Sequence, residues 1–94
     1  MLNLPATLTQ NQATACLDQL TQEVRIADEA LVLVNGAQLN SFDSSALAVL
    51  LAVRRECARA GKLFAVQGLP QRLRDLAVLY GIEQLLPGIE PTGA

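Results

Sequence analysis

The chain has 94 residues, 51% apolar and 17% charged, with a net charge of −2. That length and balance give one domain with a core of its own and exclude a disordered chain. Two Phe, one Tyr, no Trp and an acidic balance exclude a general nucleic-acid binder, which needs a basic surface and stacking rings.

In chain order, "LNLPATLT" alternates apolar and polar residues at Leu2, Leu4, Ala6 and Leu8, which predicts a short half-buried strand. Pro5 assigns it to a sheet edge, because proline cannot donate to a ladder. Thr9 is the predicted N-cap of a helix running to about Ile26, with Ala13, Cys16, Leu17, Leu20 and Val24 at helical spacing. "ALVLVNG" is a β-rich apolar run closed by a turn dipeptide and reads as a buried central strand.

A long helix then starts at Ser44 and ends before Gly61, a suitable C′ residue. "KLFAVQG" reads as the next buried strand. "PQRLRDLAVLYG" reads as a short helix with Pro70 at N1 and Gly81 at C′. "IEQLLPG" adds one helical turn, and "IEPTGA", residues 89–94, reads as a frayed tail. The order predicts an α/β sandwich in which helices cover a small, mostly parallel sheet. A single domain over 1–94, with its core at about 2–88, is expected.

Cys16 and Cys57 lie within helical patterns, and there is no histidine. Buried free thiols in a reducing compartment are therefore expected, with no metal site. The N-terminus has neither the basic nor the apolar region of a signal peptide. The longest apolar run, Ala46–Val53, is eight residues, against the ~20 that cross a bilayer. A cytoplasmic protein without direct membrane insertion is expected. Without histidine there is no Ser-His dyad, no phosphate loop of the GxxxxGK[ST] kind is present, and the carboxylates are scattered. Catalysis and a cofactor are not expected.

Charge is unevenly placed. Arg54, Arg55, Arg59, Lys62, Arg72 and Arg74 stand against the single acid Glu56 in residues 54–74, whereas the rest of the chain is strongly acidic. This basic segment reads either as a docking surface for an acidic partner or as a solvated helix face.

The start of the long helix, "NSFDSSALAVLLAVRR", holds the most chemistry. With Asp43 as N-cap, its carboxylate reaches the N–H of Ser45 or Ala46, and Phe42 and Leu47 fall at the two positions of a hydrophobic staple. Ser44 and Ser45 then occupy the first turn, where a phosphate on Ser44 would meet the positive end of the helix. Serines also simply start helices. Leu47, Leu50, Leu51 and Ala58 form one apolar stripe and Ala46, Val49, Val53, Cys57 and Ala60 an adjoining one. One stripe faces the sheet; the other lies under a neighbouring helix or forms an interface.

At "FDSSALAVLL" the chain resembles the STAS domain of bacterial anti-sigma-factor antagonists and of sulfate-transporter tails. The resemblance covers about residues 2–88. In the antagonist branch the serine after the aspartate is phosphorylated by a partner kinase, and that position here is Ser44. Asn35 stands where that branch has an aspartate and Ala46 where it commonly has glycine. "LPATLTQNQA" and "LAVLYGIEQLLP" are more similar to the MlaB-type STAS subunit of phospholipid-trafficking ABC transporters.

The resemblance implies a non-catalytic subunit, peripheral to the inner membrane, that binds the transporter ATPase and through it the permease. The implied partner surface is Asn40, Ser41, Asp43, Ser44, Ser45 and Leu47, with Gln71 and Arg72 on the next helix and Arg54 and Arg55 at the rim. The alternative is an anti-sigma-factor antagonist that binds an anti-sigma kinase and is switched by phosphorylation at Ser44. A homodimer through the strand edge at Leu2–Thr9 is the further expectation.

Overall fold

The computed structural model describes residues 1–88, so the predicted tail 89–94 lies outside the described residues. In chain order the elements are β1 (Leu2–Asn3), β2 (Thr7–Leu8), α1 (Gln10–Ile26), β3 (Leu31–Asn35), β4 (Ser41–Phe42), α2 (Ser45–Arg59), β5 (Leu63–Gln67) and α3 (Gln71–Leu79), followed by a 3₁₀ turn at Glu83–Leu85. The principal sheet is parallel in the order β1-β3-β5, with Leu2 beside Val34 and Val32 beside Phe64. Past β5 the chain returns to place Gly88 beside Val66.

Pro5 divides what the alternation marks as one strand. β1 pairs with β3, whereas β2 leaves that sheet and pairs with β4, matching Leu8 to Phe42. β1 is an edge strand, and Pro5 lies just beyond it, outside both strands. β4 carries no sequence signal of its own, because two residues are too few to show a period. Its position is set by the loop before it, where the N–H groups of Asn40 and Ser41 both donate to the carbonyl of Ala6 (2.8 and 2.9 Å).

The helices begin and end for local reasons. At the start of α1, Thr9 and the Gln12 side chain form a capping box. α2 and α3 each run out into a glycine in the left-handed region, Gly61 (φ 72°) and Gly81 (φ 71°), which costs a residue with a Cβ about 1–2 kcal/mol. Pro70 stands one position before its predicted place. Its ψ of 145° is extended, and α3 starts at Gln71.

One core cluster contains Val32, Val34 and Val66 of the sheet together with Leu20 and Val24 of α1, Leu50 and Val53 of α2, and Leu73 and Ala77 of α3. All three helices therefore cover the same sheet face. The alternate residues Leu31, Leu33, Leu63 and Ala65 belong to the opposite face and lie outside that cluster. Leu63 is 70% exposed. The two strands expected to be buried are thus unevenly covered: on the second face Ala65 is buried and Leu33 half-buried, but Leu31 and Leu63 are exposed.

α2 is apolar nearly all round because it lies between β5 and α1, which both pack against it. Ala46, Leu47, Val49, Leu50, Val53 and Cys57 are all buried, so both apolar stripes contribute to the core. Ala46, Val49, Val53 and Cys57 of the second stripe are buried, so it is not a free apolar interface. Among the described residues no helix is long and apolar enough to cross a membrane.

Candidate functional site

Asp43 occupies the gap between β4 and α2, and its two carboxylate oxygens have different tasks. Oδ1 accepts from the N–H of Ser45 at 2.8 Å, and Oδ2 accepts from the N–H of Gln10 at 3.1 Å. Ser45 opens α2 and Gln10 opens α1, so one exposed carboxylate meets free donors at two helix N-termini. The assigned helix starts at Ser45, one residue beyond the predicted start, but Ser44 already has helical dihedrals (φ −62°, ψ −15°). The carbonyl of Asp43 accepts from Ala46 in the first turn. The expected capping by Asp43 is present, and its reach to α1 is the part the sequence does not show.

Both bonds favour the charged carboxylate. The Ser45 N–H, then the Gln10 N–H, hold the Asp43 carboxyl below its ordinary value, against a small opposing effect of desolvation. A fixed anion therefore stands beside Ser44. Ser44 is exposed, and Ser45 is half-buried beneath it.

α3 joins the same place through Arg72. Its guanidinium carbon lies 5.6 Å from the centre of the Phe42 ring, a cation–π approach. Phe42 packs its other side on the core. The first turn of α3 is thereby tied to the residue that precedes Asp43. Gln71 points its amide at Asp75 instead (2.9 Å) and lines a cleft of about 550 Å³ between the end of β5 and α3.

Asn40, Ser41, Asp43, Ser44 and Arg72 are exposed around this helix mouth. Leu47 does not belong to the surface. It is 2% exposed and part of the core cluster, because the fourth position of a helix held from the β4 side turns inward. Asn35 is also committed elsewhere: its amide donates to Asn3 Oδ1 (3.1 Å) and its oxygen accepts from Ala37 N–H (3.2 Å). Sequence reasoning missed Gln10 and the two-residue β4. The capping box at Thr9–Gln12 marks where α1 starts, but only the packing of α1 along α2 brings that start to Asp43.

Among the described residues no group of three or more Cys, Asp or Glu is placed to hold a metal. Both thiols are free, Cys57 fully buried and Cys16 half-buried. Burial pushes both thiols above their ordinary value; carboxylates add to this at each, Glu23 beside Cys16 and Glu56 beside Cys57, where Lys62 opposes it. They are poor nucleophiles.

Comparison with known families gives one result: the family described as the MlaB STAS domain matches residues 1–87. The chain belongs to the MlaB-type STAS family. A search of curated proteins finds no match. STAS domains are in general non-catalytic regulatory or interaction domains, and membership supports a protein-interaction role for this one. In this STAS domain the mouth of α2 is a built surface, with Asp43 bound at α1 and α2 and Phe42 covered by Arg72.

Proposed function

We propose that this protein is the non-catalytic cytoplasmic subunit of an ABC-type phospholipid transport system that maintains outer-membrane lipid asymmetry. It binds the transporter ATPase through the mouth of α2 and supports the assembly and activity of the complex. It is peripheral to the inner membrane through that partner. The observation that carries this reading is the preformed mouth in an MlaB-type STAS domain. Its exposed Ser44 sits on a backbone locked by Asp43 to two helices, so a partner meets a surface already ordered and loses little entropy there.

The test is affinity capture from native membranes in mild detergent, wild type beside Ser44→Asp, with the bound proteins identified by mass spectrometry. An ABC ATPase recovered with its permease, and weakened by Ser44→Asp, is the expected result. Its absence from the wild-type sample overturns the reading.

One observation favours a second reading, an anti-sigma-factor antagonist switched by phosphorylation. Ser44 is exposed at the start of a helix, where a phosphate is tolerated. This reading expects capture of an ATP-binding anti-sigma kinase and phosphate on Ser44. The Asp43-Ser44-Ser45 run fits it, and one feature weighs against it: Asn35 stands where that branch has an aspartate, carries no charge and is bonded to Asn3.

A further inference from the structure

The exposed side of α2 continues the mouth as one ridge. Ser44, Ala48, Arg55, Ala58 and Arg59 are exposed, with Leu51 and Ala52 half-buried between them. Steps of three and four residues place them on one helical face. Ser44 and Arg55 lie about 16 Å apart along the axis, at ~1.5 Å per residue.

Two features distinguish this ridge from an ordinary solvated face. Beyond the mouth, where Asp43 is bonded to two helix N-termini, it carries no free carboxylate: Glu56, at its side, is half-buried and held by Arg59 (3.2 Å) and by Arg25 of α1 (3.9 Å). Arg54 and Arg55, by contrast, have neither an ion pair nor a hydrogen bond among the described residues. Among the described residues nothing pairs with their charge. Second, between Ser44 and Arg55 the relief is low, set by Ala48 and Ala52, so another helix can approach at the ~8–10 Å of close helix packing.

We infer that this ridge receives an acidic amphipathic helix of the ATPase subunit, laid along α2 from the Ser44 mouth to Arg55. In that arrangement a carboxylate of the partner meets Arg55 and its small apolar side chains cover Ala48 and Leu51. The inference rests on the reading of the chain as an ATPase-binding subunit, and adds the chemistry of the partner segment. Pairing of two copies through this face is the competing outcome, and sedimentation of the labelled protein alone as a dimer that Arg55→Glu dissociates would overturn the inference.

The test titrates the purified ABC ATPase subunit against labelled protein at low and at high salt. The variants are Arg55→Ala, Arg55→Glu, Arg54→Glu and Ser44→Leu, and thermal melts check that each is folded. The expected result is a loss of about tenfold or more for Arg55→Glu and a smaller one for Arg55→Ala. The salt dependence flattens in both, and Arg54→Glu has the weaker effect. Wild-type affinity in Arg55→Glu while Ser44→Leu fails to bind overturns the ridge but leaves the mouth as the interface. Equal losses at Arg54 and Arg55 also overturn it, since a general field is then sufficient. No binding by the wild type overturns both this inference and the reading beneath it.

Discussion

Leu47→Ala separates a core role from a contact role at the helix mouth. The Leu47 side chain is 2% exposed and belongs to the cluster that joins the sheet to the helices. Removing three carbons forfeits about 0.8 kcal/mol each in transfer free energy, roughly 2.4 kcal/mol together. The cavity left behind adds to this, because α2 is held from one side by the sheet and from the other by α1. The whole therefore falls at about 3–4 kcal/mol, inside the ~2.7–5 kcal/mol range of buried leucine truncations. A domain of this length has roughly 5–14 kcal/mol of stability in total, so the variant is weakened but folded. Urea titration is the assay, and the midpoint should fall while the slope is unchanged. Below the transition, affinity for the partner should match the wild type. A loss under ~1 kcal/mol accompanied by weaker partner binding would refute the reasoning, since it would mean that the side chain meets a partner rather than the core.

Three further outcomes follow from the same geometry. The Asp43 carboxyl titrates below its unfolded value of 3.8, so its contribution is complete above that pH and is lost as pH falls through the lower folded value. The gap in melting temperature between wild type and Asp43→Asn should accordingly be full at neutral pH and close in acid; a gap that persists at low pH would sink the argument. Gly61→Ala and Gly81→Ala each force a Cβ into left-handed backbone with open space around it, and should cost about 1–2 kcal/mol in denaturant titrations without touching the mouth. Cys57, with its side chain buried and its thiol pushed up by desolvation, should react with a water-soluble disulfide reagent only as fast as the domain opens, and more slowly than Cys16. Equal rates for the two in the native protein would contradict the packing.

Element type was legible wherever a pattern had length enough to show its period. Thr9, Gly61 and Gly81 bound their helices as capping chemistry requires. What escaped was the outcome of packing. The runs "LVLV" and "LFAV" look alike whether one or both faces are covered, and only the placement of all three helices on one side leaves Leu31 and Leu63 exposed. In the same way the second stripe of α2 is apolar in either case, and only the packing of α2 between β5 and α1 makes it core. At the mouth, the Asp43–Ser45 bond was legible because it is local. The Gln10 and Arg72 contacts were not, since each crosses about thirty residues of chain and follows from which helix ends meet.

Those two contacts share a cause in the topology. In a parallel sheet every strand points the same way, so each helix that follows a strand begins at the carboxyl edge of the sheet. The N-termini of α1 at Gln10, α2 at Ser45 and α3 at Gln71 are brought to one edge for that reason. Three positive helix ends in one place favour an anion, and Asp43 supplies it from within the chain, bonded to the first two. The third is bound differently, by the stacking of Arg72 on Phe42. The result is a surface whose strongest local need for negative charge is already met. Three turns away lie Arg54 and Arg55, cations without an ion pair among the described residues. On the proposed reading, recognition is divided, with shape and hydroxyl contacts at the Ser44 mouth and charge along the body of α2. A partner that matches only one of the two should bind weakly.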